Sequence, residues 1–359
     1  MDSALKHTPL HDWHVAHGAK MTDFGGWDMP IEYQGLVAEH QAVRESVGAF
    51  DVSHMGKVHI TGENAAAWLN TVVASDLAKI GEGKAQYSML LNAQGGVIDD
   101  LIVYVIASDD VWMVPNASNA TEVFGVLQSL AVPGISLTNH HETHSIVAVQ
   151  GPDSEKVLAP LNIELPDSYM SAVYAEFQGV AMLVCRTGYT GERGFEIIAP
   201  NESAIAIWEK LIAEGVTPVG LGARDTLRLE MGYPLHGHEI SPTITPVEAG
   251  LSWAIGWDKP TFQGRDAVVA QRESGASRKR AALKVLGRGI PRGDMSVLRS
   301  GSVVGQTTSG TFSPTLKEGI ALALVSTDVA IGHHLVLDVR GREVEVEVIK
   351  LPFVNPSVK

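Results

Sequence analysis

Two carboxylates stand side by side in Gly95-Gly96-Val97-Ile98-Asp99-Asp100-Leu101-Ile102-Val103-Tyr104. A turn dipeptide followed by an apolar, β-branched run predicts a strand entered from a tight turn. Neighbours on a strand point to opposite faces, so Asp99 goes with Val97, Leu101 and Val103, and Asp100 with Ile98, Ile102 and Tyr104. Both faces are apolar, and an unpartnered carboxylate there costs several kcal/mol or takes up a proton. Two resolutions stand open. In one, Asp99 caps the turn and Asp100 lies at the sheet's edge; in the other, one of the pair faces a ligand cleft.

A second candidate is Arg186-Thr187-Gly188-Tyr189-Thr190-Gly191-Glu192-Arg193-Gly194-Phe195-Glu196. Its glycines allow close backbone approach and positive φ, with Tyr189 and Glu196 beside them. It reads either as a plain turn between strands or as a loop that carries a carboxylate to the sheet centre. The third is Gly220-Leu221-Gly222-Ala223-Arg224-Asp225, entering a helix on which Arg224 and Arg228 share a face. Salt bridging is the default there, and a ligand facing Arg224 is the alternative. The histidines suggest less. His140-His141-Glu142-Thr143-His144 lacks the zincin spacing, His236 and His238 have no third ligand in view, and His11, His14 and His17 read as surface residues. No metal is expected. Walker, GxGxxG and GxSxG patterns are absent, so phosphate, dinucleotide and hydrolase readings lack support.

The elements that must hold these residues show a repeat. Val58–Val72 and Val147–Leu161 each read as strand, glycine, helix; Val111–Leu130 and Phe195–Gly215 each read as strand, Pro-Asn, helix, in the same order. Hairpin-like strands lie between them, which predicts a duplicated unit with helices on one face of an antiparallel sheet. Helices are expected over Glu32–Val47, over Ala223–Met231 and around Pro260–Gly275. After Arg280 the pattern turns all-β. Leu335–Ile349 reads as a hairpin about Arg340-Gly341, and Glu343–Val348 alternates strictly.

Composition limits the function classes. A chain of 359 residues has room for two or three domains. A net charge of −14 argues against nucleic-acid binding. A single cysteine, Cys185, excludes an internal disulfide, and no apolar run approaches the roughly 18 residues that cross a bilayer. The N-terminus lacks the look of a signal or transit segment, so a cytoplasmic location is expected, with no membrane association. Between Arg272 and Arg292 seven basic residues face only Glu273. That run is either a solvated linker or a docking patch for an acidic partner.

Taken together, HTPLHDWHVAHGAKMTDFGGWDMP, HQAVRESVGAFDVSHMGK, GKAQYSMLLNAQGGVIDDLIVY, VQGP, RTGYTGERGFE, GLGARDTLRLEMGYPLHGHEI and TSGTFSPTL resemble, nearly end to end, the glycine-cleavage T-protein family. The resemblance implies an α+β fold of two intertwined antiparallel-sheet domains around a central folate site, plus a C-terminal β-barrel. On this chain the parts would be 1–57 with 145–275, then 58–144, then 276–359. It implies tetrahydrofolate as co-substrate, lipoylated H-protein as partner and no nucleic acid. The activity implied is an aminomethyltransferase that moves the aminomethyl carbon from dihydrolipoyl H-protein to tetrahydrofolate, with release of ammonia and formation of 5,10-methylenetetrahydrofolate. The family's catalytic aspartate falls on Asp100, and its folate contacts on Glu196, Tyr189, Arg224, Tyr87, Asn116 and Tyr233. The tail LPFVNPSVK lacks the tyrosine that some relatives extend to the folate, so no contact carries over there. A related iron-sulfur-maintenance branch carries Lys-Gly-Cys in place of RTGYTGERGFE, and this chain does not.

The chemistry agrees with the transfer. A pterin edge offers two parallel N–H donors, which one carboxylate such as Glu196 accepts in bidentate fashion. Tyrosine faces can wall the flat ring, and Arg224 supplies fixed positive charge. A carboxylate such as Asp100 stabilises the iminium and ammonium charge that develops during transfer. The alternatives are another tetrahydrofolate-dependent methyltransferase or demethylase on the same fold, and a non-catalytic folate-binding assembly protein.

Overall fold

The apolar, β-branched runs become strands of two sheets and a barrel in the computed structural model, which describes residues 4–339 and 341–358. The chain begins with α1 (His11–Ala16), the hairpin β1 (Lys20–Phe24) and β2 (Trp27–Glu32), α2 (Leu36–Glu45) and β3 (Gly48–Asp51). The helix expected over Glu32–Val47 is therefore shorter at both ends. Glu32 still pairs with Lys20 across the hairpin, Gly35 turns the chain at φ +102°, and Gly48 opens the next strand.

Next come β4 (Val58–Thr61), α3 (Ala65–Asn70), β5 (Lys84–Leu91), β6 (Val97–Ala107), β7 (Asp110–Pro115), α4 (Ala120–Leu130) and β8 (Ser136–Asn139). They build a five-stranded sheet in the order β5-β6-β7-β4-β8. Then follow β9 (His144–Gln150), α5 (Ser154–Leu158), β10 (Ala172–Phe177), β11 (Val180–Cys185), β12 (Gly194–Pro200), α6 (Asn201–Ala213) and β13 (Thr217–Pro218). Their six-stranded sheet runs β10-β11-β12-β9-β3-β13. The repeat seen in sequence is thus a repeat in space, since β5-β6-β7-β4 and β10-β11-β12-β9 follow the same path. The sheets are not purely antiparallel: β13, reached through α6, pairs in parallel with β3.

Alternation decides which side chains meet the helices. Phe195, Ile197 and Ala199 of β12 pack with Ala204, Ile207, Trp208 and Leu211 of α6, each fully buried. Burying the Phe, Ile and Leu side chains among them contributes roughly 1.5–3 kcal/mol apiece. Glu196, between two of these core positions, is thereby turned to the other face of the sheet.

The chain falls into two compact units, one of residues up to Ser88, Asp100–Arg224 and the end from Ser357, the other of Met89–Asp99 and Asp225–Pro356. The helix α7 (Leu221–Met231) begins in the first unit, and α8 (Arg265–Ser274) lies in the second. There a closed barrel of β14 (Arg278–Val285), β15 (Ser296–Arg299), β16 (Ser302–Ser313), β17 (Glu318–Ser326), β18 (His334–Val339) and β19 (Arg342–Ile349) runs β14-β17-β16-β15-β18-β19. Leu283, Val285, Ala321, Ala323, Leu335, Leu337, Val346 and Val348 fill it at every second position. The β18–β19 hairpin is present; of its expected turn residues, Arg340 lies outside the described residues.

Of the two readings of the basic run, the solvated linker is overturned, since most of the run lies in α8 and β14. Four of its seven bases have partners on neighbouring elements. Arg272 stacks on Trp257, Arg278 pairs with buried Glu248 at 2.8 Å, Arg280 donates to the Gly232 carbonyl at 3.0 Å, and Lys284 pairs with Glu318 at 2.9 Å. Among the described residues no helix is long and apolar enough to cross a membrane.

Candidate functional site

The strand β6 answers its own sequence puzzle. Val97, Asp99, Leu101, Val103 and Val105 are all buried on one face, with Asp99 at 0 % exposure, whereas Asp100 on the other face is half-buried. The turn before it is built by Asn92, whose side-chain carbonyl accepts from the backbone N–H groups of Gln94 and Gly96. Gly96 is required here, because a Cβ would lie 1.9 Å from the Pro242 carbonyl.

Asp100 is held from two strands. Tyr87 of β5 donates its hydroxyl to Oδ2 at 3.0 Å, and Asn116, after β7, donates Nδ2 to Oδ1 at 2.8 Å and to the Asp100 carbonyl at 2.9 Å. Both carboxylate oxygens are thus oriented by neutral donors. The matching Pro-Asn of the other repeat does a different job: Asn201 donates to the Glu142 carbonyl and accepts from Ser145.

Four residues further along the same face of β6 lies Tyr104, buried, whose hydroxyl is 3.0 Å from the Thr187 hydroxyl. Thr187 in turn donates to Glu196 Oε2. One relay therefore links the strand of Asp100 to the carboxylate of Glu196. Burial pushes the Tyr104 hydroxyl well above the usual phenol range, with the charges nearby adding to it, so it remains a donor. Buried Gln150 braces the loop that carries Thr187. Its Nε2 donates to the Thr187 carbonyl at 3.1 Å and its Oε1 accepts from Thr190 at 2.9 Å. A Cβ at Gly188 or Gly194 would strike this amide at 2.1 or 2.5 Å, which explains two of the glycines in the motif. Arg44 closes the loop from α2, donating to the Thr190 carbonyl at 2.6 Å and to Glu192 at 2.8 Å.

Arg224, at the start of α7, lays its guanidinium over the Tyr189 ring, 4.8 Å from the centroid. Burial lowers the guanidinium from its usual range, against the opposing charges of Glu196 and Tyr189. Arg228, on the same helix, is the structural one of the two. It is buried and pairs with Glu239 at 3.0 Å and Asp225 at 2.8 Å, and it donates to Ser309.

The first unit therefore gathers Tyr87, Asp100 and Asn116 in one hydrogen-bonded group, stacks Arg224 on Tyr189, and ties Glu196 through Thr187 to Tyr104 on the strand of Asp100. All six side chains are half-buried, as suits groups that close a cleft over a flat ligand. Tyr233, also half-buried, belongs to the second unit, where its backbone bonds to Arg228. Thr187, Tyr104 and Gln150 were not among the sequence candidates. Only the closeness of Thr187 to Tyr189 in the glycine-rich motif could have signalled them.

One histidine reading is overturned. His14 is fully buried on the inner side of α1, with Nε2 2.9 Å from Asp51 and Nδ1 2.9 Å from the Tyr33 hydroxyl. His140 and His144 enter an aromatic cluster with Trp112 and His59.

Comparison with known proteins adds the family. The family described as GCVT N-terminal domain matches residues 10–259, and the Glycine cleavage T-protein C-terminal barrel domain matches 278–355. The chain is 49% identical to the aminomethyltransferase of Mycolicibacterium paratuberculosis, over 98% of each chain. It is 49% identical to that of Frankia alni, over 98% of this chain and 98% of the relative. The crystal structure of the glycine cleavage system aminomethyltransferase T from Bartonella henselae matches with a TM-score of 0.93 at 35% identity, covering 99% of each chain.

Proposed function

The chain belongs to the glycine-cleavage T-protein family and is an aminomethyltransferase, and from this premise we propose its donor, its acceptor and the residues that serve them. The donor is the aminomethyl group on the dihydrolipoyl arm of an H-protein, and the acceptor is tetrahydrofolate. Ammonia, the reduced lipoyl arm and 5,10-methylenetetrahydrofolate are the products. The reaction runs in the cytoplasm. We keep the threefold division of the chain at 1–57 with 145–275, 58–144 and 276–359 as part of the same reading.

The observation that carries the proposal is the half-buried pair Asp100 and Glu196, each oriented by neutral donors, with Tyr104 on the strand of Asp100 reaching Glu196 through Thr187. The site fits a reduced pterin. A carboxylate with one oxygen braced by a hydroxyl keeps lone pairs for two parallel N–H donors. A tyrosine face backed by a guanidinium offers a flat wall beside it. Tetrahydrofolate, when bound, supplies the nucleophilic nitrogen that takes the one-carbon unit.

The protein's own groups do the rest. Glu196 grips the pterin edge, and Tyr189 and Arg224 wall the ring. Asp100, fixed by Tyr87 and Asn116, holds its negative charge where positive charge develops as ammonia departs. Because its hydrogen bonds are made beforehand, no reorganisation is needed at the moment of reaction. The test is ammonia release from aminomethyl-lipoyl H-protein with and without tetrahydrofolate, set against small methylated donors. Folate-dependent release from the H-protein substrate is expected. Turnover of a small methylated donor alone would replace this reading with a demethylase, and no turnover of either would leave a folate-binding assembly protein.

A further inference from the structure

We propose that His7, His11 and Asp28 form a binding site for one divalent transition-metal ion of the zinc type, which clamps the N-terminal segment to the β1–β2 hairpin. Three backbone links bring the side chains together. The Lys6 N–H donates to the Gly26 carbonyl at 2.9 Å and the Asp28 N–H to the Lys6 carbonyl at 2.8 Å, so Lys6 lies in parallel register with Trp27. That register sets His7 beside Asp28. The His11 N–H donates to the Thr8 carbonyl at 3.0 Å, which turns the chain back so that His11 stacks on His7, ring centroids 3.6 Å apart. His11 Nε2 is 2.9 Å from Asp28 Oδ2. One donor atom from each of the three residues lies within 4.8 Å of the others.

Two imidazole nitrogens and a carboxylate oxygen are a donor set that zinc and its first-row neighbours accept, with the remaining positions left to water. The surroundings suit it. His11 Nδ1 is 3.3 Å from Asp12 Oδ1, the kind of outer partner that fixes the tautomer and leaves Nε2 as the ligand. The two carboxylates, Asp12 and Asp28, favour a cation, while the neighbouring Lys6 ammonium is drawn over the Trp27 ring. An ion would take the place of the direct contact between His11 and Asp28. His7 is exposed, so its ring can swing from the stack to present a nitrogen edge-on. Sequence spacing alone does not show this cluster, since Asp28 lies 17 residues from His11.

The experiment is calorimetric titration of the full chain with zinc, followed by the visible spectrum of the cobalt-substituted protein. One ion per chain is expected. His7→Gln and Asp28→Asn should each weaken binding at least about tenfold, as should loss of the outer partner in Asp12→Asn. His140→Gln with His144→Gln, in the separate aromatic cluster, should leave binding and the cobalt spectrum unchanged. His7→Gln alters an exposed side chain, so folding is not at stake in that arm. Absence of stoichiometric binding, retention of affinity in either His7→Gln or Asp28→Asn, or loss in the His140/His144 variant would overturn the site.

Discussion

Replacing Thr187 by valine keeps the side chain's shape and removes one hydroxyl. That hydroxyl, 3 % exposed with its residue, braces Glu196 Oε2 and meets Tyr104, itself 1 % exposed, at 3.0 Å. A hydrogen bond to a charged acceptor contributes about 1.5–3 kcal/mol, and an orphaned buried hydroxyl costs about 1–3 kcal/mol. Most of the second amount falls on folding, so a lower urea midpoint is expected. Part of the first falls on ligand binding, because Glu196 then has to be ordered by the ligand itself. A Kd for tetrahydrofolate raised about tenfold, or about 1.4 kcal/mol, follows. Thr187→Ser retains the hydroxyl and should bind as the parent does. Calorimetric titration reads the Kd, and a double-mutant cycle separates positioning from general loosening. In a Glu196→Gln background, Thr187→Val should add little, with a coupling energy in the range of about 0.5–3 kcal/mol. An unchanged Kd, a serine variant as weak as valine, or full additivity with Glu196→Gln would refute the relay.

Glu196→Ala should weaken tetrahydrofolate binding roughly ten- to a hundredfold, as loss of one partner of a charge-assisted pair requires; an unchanged calorimetric Kd removes Glu196 from the pterin site. Tyr87→Phe should lower kcat about tenfold, yet change little further once Asp100 is asparagine, and steady-state kinetics of the single and double variants decide it. Stability should fall as pH drops from 6.5 toward 4. Burial, helped by the charges of Arg224 and Lys57, pulls His54 down to about 3, and burial with nearby cations pulls His141 and His144 to about 4. In that window the unfolded chain binds more protons than the native one, with a slope of up to about 1.4 kcal/mol per pH unit for buried His54 and less for the other two. Urea midpoints at pH 6.5 and 4.5 test this, with His144→Gln flattening the slope; equal midpoints would contradict it.

Local pattern carried much of this architecture. The repeat was legible because each copy keeps its own strand, glycine and helix signals, and the barrel because Glu343–Val348 alternates without a break. Asp100 could be separated from Asp99 only in space: both faces of β6 are apolar in sequence, and what opens one of them is the arrival of Tyr87 and Asn116 from other strands. Thr187 was hidden for a like reason, since its partners Tyr104 and Gln150 are 83 and 37 residues away. The linker reading of the basic run failed because charge in sequence says nothing of pairing. Glu248 reaches Arg278 from 30 residues upstream, and the strand it joins would be severed by the view that it is a linker. His14 misled because a six-residue helix shows too little periodicity to reveal its inner side.

The most direct test of the central claim is single-turnover formation of 5,10-methylenetetrahydrofolate from aminomethyl-lipoyl H-protein by the parent, Asp100→Asn and Asp99→Asn proteins. The half-buried carboxylate on the open face of β6 should carry the chemistry. Asp100→Asn is therefore expected to lose most of the rate while its Kd for tetrahydrofolate holds, and Asp99→Asn, where folded, to retain it. A near-normal rate for Asp100→Asn, with folded Asp99→Asn inactive, would place the reaction on the opposite face of the strand and contradict the account.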